Sequence, residues 1–239
     1  MRGVKAVFKK ELKDLMKNVG VLIQFIIFPV AAFVFTFLVA HGNEDIPDTM
    51  FINMMASVFV GMALVPTAAG IIADDRSTKS LRFMVMAGVK PSAYLLGIGG
   101  VVLSVSLLPS LAFTLMGQLS GQEFFLFLAV MVAGAIASTL LGLTIGIFAN
   151  NPQAAAGLSM PFAMLLGFTP MIATFNEPMM RVSRFLYTQQ IDIVMNSFYS
   201  ASGEQTTANL WESFGIIGAN IVLMVVVFTV VFTKKGLRV

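Results

Sequence analysis

The sequence predicts an all-α polytopic membrane protein with six transmembrane helices. Three observations lead there. Of 239 residues, 57% are hydrophobic and 11% charged, against about 25% charged in a soluble domain, which is too little polar surface to cover a water-exposed fold. The hydrophobic residues fall in stretches over about 20–40, 51–73, 93–117, 124–149, 154–175 and 211–233. Each is long enough, at about 1.5 Å per residue, to cross a hydrocarbon core of about 30 Å. Alternating apolar and polar residues over barrel-length strands are absent, so helices must satisfy the backbone inside lipid.

Charge sets the orientation. With residue 1 in the cytosol, every Lys and Arg except Arg181 and Arg184 falls in a cytosolic segment, as the retention of cationic loops on that side requires. The outer segments instead carry Glu44, Asp45, Asp48, Glu123, Glu177, Asp192, Glu204 and Glu212. The prediction is a multi-pass protein of a plasma membrane, both termini cytosolic, with residues 1–239 forming one membrane domain. The formal charge of +3 follows the membrane and does not indicate nucleic acid. Cysteine is absent, which removes disulfides and thiolate metal sites.

The elements follow in order. In residues 1–19, Val4, Val7, Phe8, Leu12, Leu15 and Met16 share a helical stripe while Lys5, Lys9, Lys13 and Lys17 recur elsewhere on the wheel. That pattern predicts an amphipathic helix in the membrane interface. The apolar run after it is too long for a signal peptide. A short acidic outer loop precedes the second span, and residues 74–92 then form a cytosolic segment. There Asp74, Asp75 and Ser77 can cap a helix of about three turns, and Gly88 and Pro91 suit its end. Leu81, Met84 and Val85 share a face of that helix, with Phe83 off the stripe, so apolar surface is left needing a partner.

Further along, Gly134, Ser138, Gly142 and Gly146 stand four residues apart on the fourth span and let another helix approach closely, more plausibly within the chain than across a dimer seam. Prolines 29, 66, 109, 161 and 170 interrupt four spans and free backbone groups there. Residues 176–210 are too polar to span and too apolar for a solvated linker. Short re-entrant helices in the outer interface account for them, with Tyr187, Tyr199 and Trp211 at headgroup level.

The missing chemistry narrows the function. No G-x-x-x-x-G-K-[ST] loop is present to cradle a nucleotide, and His41 is the single histidine, so a histidine-dependent hydrolase lacks its parts. The spans hold essentially no Asp, Glu, Lys or Arg away from their ends, unlike many ion-coupled carriers. Their surface is apolar and rich in methionine, a flexible side chain suited to variable apolar partners.

Taken in order, these segments resemble the permease subunit of an ABC-2 type (type V) ABC transporter. Lys9-Lys10-Glu11-Leu12-Lys13-Asp14-Leu15 resembles the connecting helix of that family. Asp74 through Gly97 resembles its coupling segment, Asn151-Pro152-Gln153-Ala154 the tight turn between spans four and five, and 176–210 the outer re-entrant helices. The small size is similar to permeases of bacterial peptide exporters, including the Pmt type that exports phenol-soluble modulins.

The resemblance implies a non-catalytic chain with no cofactor of its own. Two copies of a separate ATPase would bind ATP and Mg, and a second permease copy or close homologue would complete the pathway. The coupling residues would be Glu11, Leu12, Asp74, Asp75, Arg76, Leu81, Phe83, Met84 and Val85. Spans one, two and five would line the cargo route, with Gln24, Phe28, Met55, Phe59, Met160 and Met164 as contacts. The expected function is export of amphipathic cargo, with toxin-type or antimicrobial peptides ahead of drugs, lipids or glycolipids. An ion-coupled carrier is the alternative from another class.

Overall fold

The computed structural model describes residues 2–42, 46–198 and 207–235. Glu44, Asp45, Tyr199, Glu204 and Arg238 lie outside them. The described residues form helices α1 (Arg2–Lys17), α2 (Val19–Phe35), α3 (Met50–Met62), α4 (Leu64–Ser77), α5 (Ser80–Met86), α6 (Pro91–Met116), α7 (Gly121–Gly146), α8 (Pro152–Phe175), α9 (Glu177–Ser183), α10 (Tyr187–Ser197) and α11 (Thr207–Lys235), with a π-helical turn, Thr36–Ala40, extending α2. Six segments are long and apolar enough to cross a membrane: Val19–Ala40, Met50–Ser77, Pro91–Met116, Gly121–Gly146, Pro152–Ala173 and Leu210–Lys234. These are the six predicted spans, and the fold is all-α among the described residues.

Local chemistry explains the boundaries. Asn18 caps α2 by accepting from Val21 N, which separates α1 from the first span. The second span breaks at Ala63 into α3 and α4. Pro66 has no N–H, so the Met62 carbonyl loses the donor that an unbroken helix would supply four residues on. Gln24 of α2 fills the vacancy, its Nε2 donating to Met62 O at 3.0 Å, and so fastens span one to the break in span two. At the start of α8, Asn151 accepts from Ala154 N at 2.8 Å and Pro152 occupies the first helical turn, which makes the predicted tight turn.

The second span is the centre of the bundle. Its most apolar stretch is 72% buried, against 11% for the first span and 6% for the last, so the outer two are the least covered by the rest of the chain. Small residues bring neighbours against it. A Cβ on Gly61 would lie 2.7 Å from the backbone nitrogen of Gly167 in α8, and one on Gly146 would lie 2.9 Å from Ala69 O. The strip on α7 thus packs on the second span of the same chain, with Ser138 Oγ donating to Val60 O at 2.7 Å.

Three expectations need correction. Asp74 and Asp75 do not cap the cytosolic helix, because α4 continues through them to Ser77. The short helix α5 is seven residues long and opens after Lys79, whose φ of 61° turns the chain. Pro91 begins α6 and does not end α5, whereas Gly88 takes the left-handed conformation (φ 77°) that ends it. Tyr187 does not sit at headgroup level: it is fully buried, with its hydroxyl 2.7 Å from Ser138 Oγ. The helix it opens, α10, is largely buried and packs on α3, α7, α8 and α11.

Candidate functional site

At the α1 end of the bundle, the N-terminal helix lies along the start of α6. Its apolar stripe is matched to small residues there. A Cβ on Gly97 would collide with Val7, and one on Gly100 would press on the ring of Phe8. Glu11 falls on the same stripe between Val7 and Leu15 and is therefore carried into the packing, 4% exposed. Asp75, at the end of α4, is 1% exposed. Two acids this close need compensation. Lys10 supplies it, pairing with Glu11 Oε1 at 2.7 Å, with Asp14 at 3.6 Å and with Asp75 Oδ1. Tyr94 of α6 donates its hydroxyl proton to Asp75 Oδ2 at 2.8 Å.

Burial, followed by the neighbouring Asp75 charge, pushes the Glu11 carboxyl up to about 8, against the pull of Lys10. Burial disfavours the Lys10 ammonium, but the hydrogen bonds to Asp75 and Glu11 outweigh that and hold its pKa above the ordinary lysine range. The rise in the Glu11 carboxyl relieves its repulsion with Asp75 and leaves Lys10 to balance Asp75 and, at longer range, Asp14. Next along the chain, Arg76 Nη1 donates to Ile147 O and Ala149 O at 3.0 and 2.8 Å, where a cation meets the carbonyl end of α7 favourably. Residues 75 and 76 therefore tie together α1, α4, α6 and the turn after α7.

The short helix α5 projects from this lattice. Leu81 is 2% exposed and belongs to the core, and Met84 is partly buried against it, whereas Phe83 (65%), Met86 (64%) and Val85 are exposed. The expectation that Leu81 and Met84 form the free face with Val85 is thus corrected. The i, i+3 pair is the anchor, and the outward face belongs to Phe83, Val85 and Met86. Leu12 is half-buried against the core, and Asp74 is exposed.

A cavity of about 310 Å³ opens beside this lattice, between α1, α2, α4 and the start of α8. Glu11, Asp14, Asn18, Gln24 and Asp74 give it polar walls, and Leu15, Val21 and Ile71 apolar ones. At the opposite end, Phe33, Phe37, His41, Asp48, Met116 and Gln118 border a second cavity of about 560 Å³.

Residues 43–233 match the family described as ABC-2 family transporter protein, well over half of the chain. The chain belongs to the ABC-2 family. None of the curated proteins compared with it matches. As an ABC-2 permease it is the membrane component of an ABC transporter, and the family implies an ATPase partner.

The structure does not gather the six predicted cargo contacts of this permease in one place. Gln24 lines the 310 Å³ cavity. Phe59 is fully buried, edge-on to Phe25 and Phe28 and beside Phe113, so it is an aromatic core residue in this conformation. Phe28 and Met55 are half-buried against that core, while Met160 and Met164 lie exposed on α8. Sequence reasoning also gave no site role to Lys10, to Tyr94 or to the buried Asp192, whose Oδ2 accepts from Asn196 Nδ2 at 3.0 Å. A signal for Glu11 was present, since an acid at i+4 from Val7 and i−4 from Leu15 must share their face. Nothing local marks Tyr94 or Asp192, which are buried by distant elements.

Proposed function

We propose that this permease forms half of an ATP-driven exporter whose separate ATPase docks on α5, the amphipathic cargo entering by the cavity beside it. The observation that carries the reading is the division of α5 into an anchored side, Leu81 and Met84, and an exposed apolar side, Phe83, Val85 and Met86. A side chain gripped by a partner transmits force only if its own helix is held, and α5 follows directly on the Lys10–Asp75–Tyr94 lattice. The orientation read from charge puts this end in the cytosol, where an ATPase would be. Cargo is proposed to be an amphipathic peptide, because the cavity combines carboxylate and amide groups with an apolar wall and so suits a molecule having both kinds of surface. The chain's ABC-2 membership argues against an ion-coupled carrier.

The test is reconstitution with the partner ATPase. Phe83→Asp combined with Met86→Asp alters exposed side chains only, so insertion and folding are expected to survive. Each large apolar side chain contributes about 1.5 to 3 kcal/mol when fully buried, so docking is expected to weaken by more than about tenfold and stimulated ATP hydrolysis to be lost. Wild-type turnover in the double variant would exclude α5 as the docking element. With the wild-type complex, amphipathic helical peptides should stimulate ATP turnover and glycolipids or cationic drugs should not; the reverse pattern would replace the peptide assignment.

A further inference from the structure

Arg181 and Arg184 are the two basic residues that the charge pattern leaves at the end of the bundle opposite α1. They stand three apart across α9 and its C-terminus, and both border one pocket of about 250 Å³ with Gln190, Glu212 and Ser213. Arg184 Nη2 donates to Glu212 Oε1 at 2.7 Å, one contact from a guanidinium that carries five donors. The Arg181 side chain has no hydrogen-bond or ion-pair partner among the described residues. The pocket therefore holds two cations against one carboxylate. Gln190, buried at the start of α10, donates to the carbonyl of Arg184 and holds the end of α9 against the bundle.

The surroundings say where an anion would come from. Val182 is 73% exposed, Phe185 72% and Trp211 83%, so apolar side chains flank the two arginines. A water-facing pocket gives no account of that collar. A helix lying at the boundary of headgroups and acyl chains does, because apolar side chains then enter lipid while arginines reach the phosphate plane. Guanidinium forks suit phosphate oxygens, the same pairing by which basic pockets between membrane helices at the cytoplasmic face take anionic head groups.

We propose that Arg181 and Arg184 form a binding site for the phosphodiester headgroup of an anionic glycerophospholipid, seated between α9 and the start of α11. The site stands on membrane insertion alone and does not depend on the assignment of cargo or ATPase docking. It fixes the outer end of the bundle to the leaflet and makes lipid charge a determinant of how α9 sits.

Native mass spectrometry of the full chain, released from micelles containing phosphatidylglycerol or phosphatidylcholine, tests it. The wild-type chain is expected to retain one phosphatidylglycerol more than Arg181→Gln/Arg184→Gln, with half-occupancy of that lipid needing on the order of tenfold more phosphatidylglycerol in the variant. Phosphatidylcholine retention should be equal in the two. Arg181→Gln alone, which removes no side-chain hydrogen bond or ion pair among the described residues, should show the same direction without disturbing the Glu212 pair. Lys9→Gln/Lys13→Gln, at the other end, should leave this lipid in place. Equal phosphatidylglycerol occupancy in wild type and both arginine variants would overturn the proposal. So would displacement of the bound species by soluble glycerol phosphate, which would make the pocket a site for a free anion.

Discussion

Glu11 shows how a single residue's position decides its chemistry. Helical spacing puts it in the apolar stripe of α1, and packing on α6 removes it from water. Its ordinary value of 4.5 rises to about 8, so the folded chain keeps a proton that the unfolded chain has already released. Stability should therefore fall as pH rises from about 4.5 to about 8. Glu11→Gln keeps that position neutral and should flatten this part of the profile, read as unfolding midpoints in detergent across the same pH range. A slope identical to wild type would disprove the assignment. Gln24 makes a different kind of contribution, as the donor to a carbonyl that Pro66 leaves vacant. Gln24→Leu is expected to cost about 1 kcal/mol, and less in a Pro66→Ala background, where a backbone N–H returns. A double-mutant cycle measures this coupling, and strict additivity would show that the two residues do not act on the same carbonyl.

At the scale of elements, contact between spans two, four and five depends on what is missing from glycine. Gly61 faces the backbone of α8, which cannot step aside as a flexible side chain can, and Gly61→Ala should destabilise the bundle by about 1 to 3 kcal/mol. Gly70, also in the second span, has open space around its Cβ direction. Gly70→Ala should then be neutral or gain up to about 1 kcal/mol of helix propensity. Thermal unfolding of the two variants side by side is the measurement, and equal effects would mean that the close approach is not what Gly61 serves. The glycine and serine strip on α7 was legible from its four-residue repeat. The approach of its counterparts Gly61 and Gly167 was not legible, because which helix faces each of them is decided by packing and not by local spacing.

For the whole molecule, first-span and last-span surfaces are overwhelmingly open, and the cavities at the two ends of the bundle share no lining residue. Two permease chains with two ATPase subunits are the expected assembly, and a mass measured on the co-purified complex should correspond to 2:2. The permease by itself should hydrolyse no ATP, and no proton or sodium gradient should drive uptake in liposomes. Gradient-driven uptake by the chain alone would remove the exporter reading.

Membrane insertion, the number of spans, the sharp turn at Asn151-Pro152 and the charge asymmetry were determined by sequence alone, because each depends on the length of an apolar run, a local cap or the sidedness of cations. The tertiary structure decided which apolar residues are anchors and which are free. Leu81 and Phe83 are two residues apart and equally apolar in composition, yet one is core and the other exposed. It also decided that Tyr187 and Asp192 are buried, and that Glu11, Lys10, Asp75 and Tyr94 meet. The reason is that burial in a helical bundle depends on the rotation of each helix about its axis and on which neighbours close over it, and residues 10, 75 and 94 share no local pattern that specifies either.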